Sequence, residues 1–154
     1  MIIAILLGLT LLSTSVIFHY EGLARLSSVV NAMSGSSRAH MLVVMFSVVA
    51  LHLCEILFYA VAYWFGGSIA DIGSFSGTRA IEVSDYLYFS AEAYSTLGLG
   101  DIYPRGYLRL IAGLEALNGL ILITWSASFT YIAMEKYWDV RNTSRQARPR
   151  ESAD

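Results

Sequence analysis

Charged residues are scarce in this sequence: Asp, Glu, Lys and Arg make up 14% of its 154 residues, whereas hydrophobic residues make up 56%. A soluble domain of this size needs far more charge to cover its surface. The mean hydropathy is +0.56. The composition therefore indicates an integral membrane protein with lipids as neighbours. The charged residues include no basic run long enough to follow a nucleic-acid backbone, so we expect no nucleic-acid partner.

Cysteine occurs once, at Cys54, so the chain forms no internal disulfide. The three histidines, His19, His40 and His52, are scattered along the sequence and predict no metal cluster. No Ser/His/Asp arrangement or phosphate-binding loop is evident. We therefore predict that the protein is not an enzyme, has no catalytic residues and carries no cofactor.

Three apolar runs predict an all-α membrane protein with three transmembrane helices. The first run covers residues 1–18, and a cleaved signal peptide is the competing interpretation. A retained helix is favoured because no Lys or Arg precedes Arg25. The second run, residues 41–65, ends in aromatic residues typical of a membrane boundary. The third, residues 108–138, is longer than one bilayer crossing needs.

The segments outside these runs are more polar. Apolar residues at three- and four-residue steps predict a short interfacial amphipathic helix over residues 21–31. A turn at Ser34–Ser37 completes an N-terminal unit of residues 1–39. A polar loop is predicted at residues 67–84. The Arg-rich tail, residues 139–154, is predicted to be disordered.

Two ionisable side chains interrupt the second apolar run. His52 and Glu55 lie one helical turn apart and therefore share a face. An ionisable residue at membrane depth is a functional hypothesis by default. We predict that this pair senses pH by changing its protonation. The alternative is that Glu55 stays protonated and hydrogen-bonds a neighbouring helix.

An unusual backbone strip lies between the second and third runs. Residues 86–95 are too short to span a membrane and are followed directly by T-L-G-L-G-D at residues 96–101. Such a helix is expected to be re-entrant, with Pro104 marking the exit turn. Glycine accepts left-handed dihedrals at little cost, and alternating handedness points successive carbonyls the same way. Such a strip can replace the hydration shell of a monovalent cation.

The segment from Tyr86 to Trp138 resembles the pore domain of the potassium-channel superfamily, in its bacterial two-transmembrane form with an extra N-terminal helix. The usual filter sequence T-V-G-Y-G-D differs from this chain at Leu97 and Leu99. Leucine at the position of Leu99, where tyrosine is commonest, resembles one pore loop of some two-pore-domain potassium channels. The resemblance implies a pore domain at residues 40–138 with four parts: outer helix 41–65, pore helix 86–95, filter 96–101 and inner helix 108–138.

The resemblance implies a channel that conducts K⁺ passively. One strand cannot enclose an ion, so the partners are three further copies of the chain in a homotetramer. Backbone carbonyls of residues 96–99 and the Thr96 hydroxyl are expected to bind K⁺. The expected filter residues are Thr96, Leu97, Gly98, Leu99 and Gly100. Because Leu99 lacks the tyrosine hydroxyl, a weakly selective cation channel and a non-conducting scaffold or regulatory subunit are the alternatives.

Further roles also follow from the resemblance. Gly119 aligns with the hinge glycine of related inner helices. In the small bacterial proton-gated potassium channels, carboxyls matching Glu92 and Asp101 share a proton behind the filter. The alternative is that Glu92 points into a water pocket while Asp101 solvates the pore mouth. The residues expected to line the inner pore are Leu120, Ile123, Ala127 and Tyr131; the alternative is that this face packs on the outer helix.

The expected location is the inner (plasma) membrane of a bacterium. Arginines in the tail and between the first two runs predict a cytoplasmic position for both segments, which places the pore loop outside. The sequence has neither an arginine-repeat voltage sensor nor a soluble ligand-binding domain. It leaves the gating stimulus open among pH, lipid, membrane tension and constitutive opening.

Overall fold

The structure is a computed structural model that describes residues 1–77 and 80–146. Within those residues the chain is mostly helical, as predicted, with one small antiparallel sheet. The elements in chain order are α1 (Ile2–Ala32), α2 (Ser37–Ser68), β1 (Phe75–Gly77), α3 (Val83–Tyr94), β2 (Ile102–Pro104) and α4 (Leu108–Gln146).

Three of the helices are long and apolar enough to cross a membrane. They are α1, α2 and the part of α4 from Leu108 to Tyr137. These spans agree in number and order with the three apolar runs. In contrast, α3 has 12 residues. At 1.5 Å per residue it is much shorter than the ~30 Å hydrocarbon layer.

The N-terminal unit is one helix rather than two. α1 continues for 31 residues, so the predicted separate helix at residues 21–31 is wrong. Gly22 lets α1 approach α2 closely, because an added Cβ would lie 2.9 Å or less from two methyl carbons of Leu51. The packing gain outweighs the cost of a glycine inside a helix, about 1 kcal/mol. The apolar residues behind the prediction are mostly inward-facing and join a core cluster made of Leu23, Leu26, Val30, Val44 and Val48.

The region predicted as a loop contains regular structure at both ends. α2 extends to Ser68, and β1 pairs with β2 in the register Phe75↔Pro104. Pro104 therefore closes a strand, and the predicted exit turn is displaced to Gly106, which has φ 65°. Three-residue strands carry too little alternation to be seen in a sequence. Their pairing ties the α2–α3 connection to the segment that follows Gly100.

The last helix is longer than predicted. α4 continues to Gln146, so the prediction of disorder is wrong for residues 139–146. Residues 147–154 lie outside the described part of the chain. Adding residues to an existing helix requires no new nucleation, which explains why a polar segment can continue an apolar span.

Two glycines of α4 occupy different environments. An added Cβ at Gly119 would lie 2.9 Å from the carbonyl carbon of Tyr94, at the end of α3. At Gly113 no heavy atom lies within 4 Å of the corresponding position. Gly119 thus permits α4 to touch the backbone of α3, whereas its predicted role as a hinge remains a prediction.

We expect Gly119→Ala to destabilise the protein and Gly113→Ala, the matched control, to leave it unchanged or slightly more stable. The first change forces two backbones apart, and overpacking typically costs about 1–3 kcal/mol. The second replaces glycine by a better helix former, worth about 1 kcal/mol. Thermal unfolding in detergent measures both. Equal melting temperatures for the two variants would contradict the close contact between α3 and α4.

Candidate functional site

The segment after α3 has an alternating backbone. Thr96, Gly98 and Gly100 have φ values of 58°, 59° and 81°. Only glycine adopts these left-handed values without strain, and for Thr96 the cost is about 1–2 kcal/mol. The left-handed values recur at every second residue over five positions. This geometry is the one in which successive carbonyl groups face the same way.

One side of this segment is not covered by its own chain. Leu97 and Leu99 are 63% and 62% exposed. No heavy atom lies within 4 Å of where a Cβ would stand at Gly98 or Gly100. The backbone at both glycines and the two leucine side chains are therefore uncovered in the single chain.

Hydrogen bonds from α3 hold the beginning of the segment. The amide of Leu97 donates to the carbonyl of Glu92 at 2.9 Å. The amide of Leu99 donates to the side-chain Oε1 of Glu92 at 3.1 Å. Glu92 is buried, so its carboxylate braces the segment from behind rather than facing solvent. The alternative of a water pocket at Glu92 stays open, since burial of the side chain is compatible with an enclosed water.

Asp101 has a separate partner on α3. Its Oδ1 accepts a hydrogen bond of 3.2 Å from the hydroxyl of Tyr88. Desolvation and the Asp101 carboxylate raise the pKa of Tyr88 to about 12, so this phenol remains a donor at neutral pH. Sequence reasoning missed Tyr88. The same hydroxyl also interacts with Glu92. Sharing of a proton between Glu92 and Asp101 stays a prediction.

Polar groups buried behind α3 join it to α4. Glu115 accepts hydrogen bonds from Tyr63 and, at 2.5 Å, from the hydroxyl of Ser90. One turn further, Asn118 donates to the hydroxyl of Tyr59 at 3.3 Å. Glu115 and Asn118 were visible in the sequence as polar residues in an apolar run. The residues that hydrogen-bond to them could not be identified from the sequence, because tyrosine and serine occur in membrane helices for many other reasons.

The predicted pair of His52 and Glu55 belongs to a larger cluster. Glu55 is fully buried and accepts from Tyr94 of α3. His19 of α1 lies with its Nδ1 2.8 Å from Glu55 Oε1. The expectation that the histidines are scattered is therefore wrong for His19 and His52, whose rings lie 5.3 Å apart. A separation of 33 positions along the chain concealed this contact. The predicted role in pH-dependent gating stays a prediction.

His40 lies outside that cluster. Its two ring nitrogens contact the carbonyl oxygens of Ser36 and Met33, at 2.8 and 3.1 Å. Its ring stacks on Tyr137 with the centroids 4.7 Å apart. His40 thus closes the turn between α1 and α2.

One face of α4 is open in the single chain. The four residues predicted to line the inner pore are all exposed in the single chain, so they do not pack on α2 of their own chain, and their place in the pore stays a prediction. In contrast, Leu122 is fully buried and Phe129 packs against the α1–α2 core cluster. The exposed set consists of Leu120, Ile123, Ala127 and Tyr131.

The comparisons with known proteins agree with this arrangement. No curated protein sequence and no solved structure matches the chain. A family model described as "Ion channel" matches residues 41–136, which run from the start of α2 through the described side chains of α4. The matched segment contains the alternating backbone and all of α3, and it is more than half of the chain. The protein therefore belongs to the two-transmembrane pore-loop ion-channel family of the potassium-channel superfamily.

Proposed function

We propose that the chain is one subunit of a homotetrameric, potassium-selective channel. The observation that carries the proposal is the alternating left-handed backbone at Thr96, Gly98 and Gly100 on an uncovered surface. Carbonyl oxygens of residues 96–99 and the Thr96 hydroxyl line the fourfold axis and replace the hydration shell of K⁺. In this assembly α3 is the re-entrant pore helix, α2 the outer helix and α4 the inner helix.

The exposure of the segment supports a multimer. A single strand offers carbonyls from one side only, whereas a dehydrated cation needs oxygen ligands all round. Three further copies around one axis supply them. The four copies also cover Leu97 and Leu99, large apolar side chains that are more than 60% exposed in one chain. The exposed face of α4 then surrounds the cavity below the filter.

The helix before the filter also favours a cation. The C-terminus of α3 precedes Thr96 directly, and a helix C-terminus carries partial negative charge. Four such ends converge on the axis in the tetramer. The apolar lining beneath them supports gating by dewetting.

Selectivity for K⁺ is the finer part of the proposal. Leu99 cannot donate the hydroxyl that tyrosine supplies in the usual filter sequence, which favours the weakly selective alternative. Two braces from α3 oppose that alternative: Glu92 binds the Leu99 amide, and Tyr88 binds Asp101. They hold the filter backbone from within the same chain. The non-conducting alternative has no comparable observation in its favour.

The membrane setting is consistent with a channel. The three apolar spans make the protein an integral membrane protein. We propose that it resides in a bacterial inner membrane with the β1–β2 side outside and the C-terminal tail in the cytoplasm. The Arg-rich tail supports that orientation. K⁺ is the permeant ion, and the mechanism requires no cofactor.

Purified protein in liposomes is expected to carry K⁺ far faster than Na⁺, and Gly98→Ala should abolish this selective flux. Alanine at φ 59° costs about 1–2 kcal/mol in each chain, and the ring contains four copies. Gly113→Ala is the control because nothing packs on that position. Equal K⁺ and Na⁺ flux in the unmodified protein supports the weakly selective channel. No flux of either supports the non-conducting alternative.

Glu92→Ala should destabilise the conducting filter while leaving the tetramer assembled. The change leaves the amide of Leu99 without its acceptor, and losing a hydrogen bond of this kind costs about 0.5–1.5 kcal/mol per chain. Glu92→Gln retains an oxygen at the same place and is expected to have a smaller effect. Inactivation during sustained recordings measures the difference. Identical inactivation in the original protein and Glu92→Ala would exclude the brace.

Cysteine scanning of α4 tests the inner pore, in a Cys54→Ser background. Cysteines at residues 120, 123, 127 and 131 should react with thiol reagents added from the cytoplasmic side and block the current. Cysteine at Leu122, which is fully buried, is the matched control and should not react. If the control reacts and the four positions do not, another face of α4 lines the pore.

A further inference from the structure

We propose that His19, His52 and Glu55 form a binding site for a divalent transition-metal ion, separate from the K⁺ pathway. The three side chains come from α1 and α2 and meet beside the end of α3. Each offers one ligand atom, and these atoms all lie within 4.8 Å of one another. The site is distinct from the proposed K⁺ sites, since its ligands are side chains of α1 and α2 rather than carbonyls of residues 96–99.

The distances suit a small ion after a modest closure. His19 Nδ1 lies 2.8 Å from Glu55 Oε1, and His52 Nδ1 lies 3.2 Å from Glu55 Oε2. Ligand atoms about 2.0–2.1 Å from a tetrahedral Zn²⁺ are separated by roughly 3.4 Å. These two contacts are to different oxygens of Glu55, so with one oxygen as the ligand only one of them separates two ligand atoms. The remaining separations need a closure of no more than the difference between 4.8 Å and that value.

The surrounding groups orient the ligands. Ser126 Oγ lies 3.0 Å from His19 Nε2, so the other ring nitrogen is directed at Glu55. Metal-binding histidines commonly have such a partner on the nitrogen that does not bind the ion. Tyr94 contributes a hydroxyl 2.8 Å from His52 Nδ1 and hydrogen-bonded to Glu55. That phenol oxygen, or a water molecule, completes a four-coordinate site.

The ligand set selects the class of ion. Two imidazoles and one carboxylate suit Zn²⁺, Co²⁺, Ni²⁺ or Cu²⁺, whereas Ca²⁺ and Mg²⁺ prefer all-oxygen sites. His19 and Glu55 are fully buried, and the His52 side chain is 17% exposed. When no ion is bound, the same groups hydrogen-bond one another and remain satisfied.

Binding of an ion would have a definite mechanical effect. His19 lies on α1, outside the residues that match the ion-channel family. His52 and Glu55 lie on α2, and Tyr94 ends α3 two residues before Thr96. The ion therefore would fasten the additional helix to the channel core next to the filter.

The test uses the full-length protein with an affinity tag that contains no histidine, in a Cys54→Ser background that removes the exposed thiol. After treatment with a chelator and gel filtration, Zn²⁺ is added and the bound metal is measured by mass spectrometry. We expect one Zn²⁺ per chain. With Co²⁺ in its place, we expect absorption bands of four-coordinate nitrogen and oxygen ligation rather than the aqueous spectrum.

Variants locate the ion. His19→Gln and His52→Gln should each lose at least tenfold in Zn²⁺ affinity, since removing a ligand costs no less than removing a supporting partner. Ser126→Ala should lose about 10–100-fold by disturbing His19. His40→Gln is the matched control, because His40 is bonded to backbone carbonyls away from the cluster, and its affinity should not change.

Three results would overturn the proposal. The first is an unmodified protein that binds no stoichiometric Zn²⁺ and gives only the aqueous Co²⁺ spectrum. The second is an affinity for Zn²⁺ that is the same in His19→Gln, His52→Gln and the unmodified protein. The third is an equal loss in His40→Gln. If the glutamine variants fail to assemble, the Co²⁺ spectrum of the unmodified protein and the affinity of Ser126→Ala decide the question.

Discussion

Two buried carboxyl groups fix the short helix α3 within the chain. Glu55 of α2 accepts from Tyr94, and Glu115 of α4 accepts from Ser90. In hydrocarbon a polar group without a partner costs several kcal/mol, so each carboxyl oxygen must find a donor. The donors on α3 are four residues apart, on one face of the helix. Any shift of α3 along its axis would break both contacts together.

The position of the alternating backbone at residues 96–100 depends on this attachment. α3 ends at Tyr94, and the alternating backbone begins two residues later at Thr96. Gly119 allows α4 to touch the carbonyl group of Tyr94, so the end of α3 is held from two sides. At the other end of the segment, pairing of β1 with β2 anchors the residues after Gly100. A segment with strained dihedrals is thereby held at both ends by regular structure.

Features with a strong local signal could be predicted from the sequence. Long apolar runs specify the spans, and the glycine alternation at Gly98 and Gly100 specifies an unusual backbone whatever surrounds it. The wrong predictions concern features that depend on contacts between residues far apart in the sequence. The apolar periodicity after residue 21 suggested a separate interfacial helix, yet this segment continues α1 and packs on α2. His19 carried no local sign that it would meet a pair 33 and 36 residues away.

The site was only partly accessible to sequence reasoning for the same reason. Glu92 and Asp101 were identified, but the donors that hold them, the Leu99 amide and the Tyr88 hydroxyl, depend on how α3 is turned. A motif defines which residues take part, whereas the rotation of a helix decides which partners they meet. Sequence patterns alone do not determine that rotation when most faces of a helix are apolar.

The most direct test of the account is an experimental structure of the purified protein in lipid nanodiscs with K⁺ present. The account predicts four chains around one axis, with ion density between the carbonyls of residues 96–99 and with α3 bonded to Glu55 and Glu115. A different number of chains around the axis, or filter segments turned away from it with no ion between them, would contradict the account.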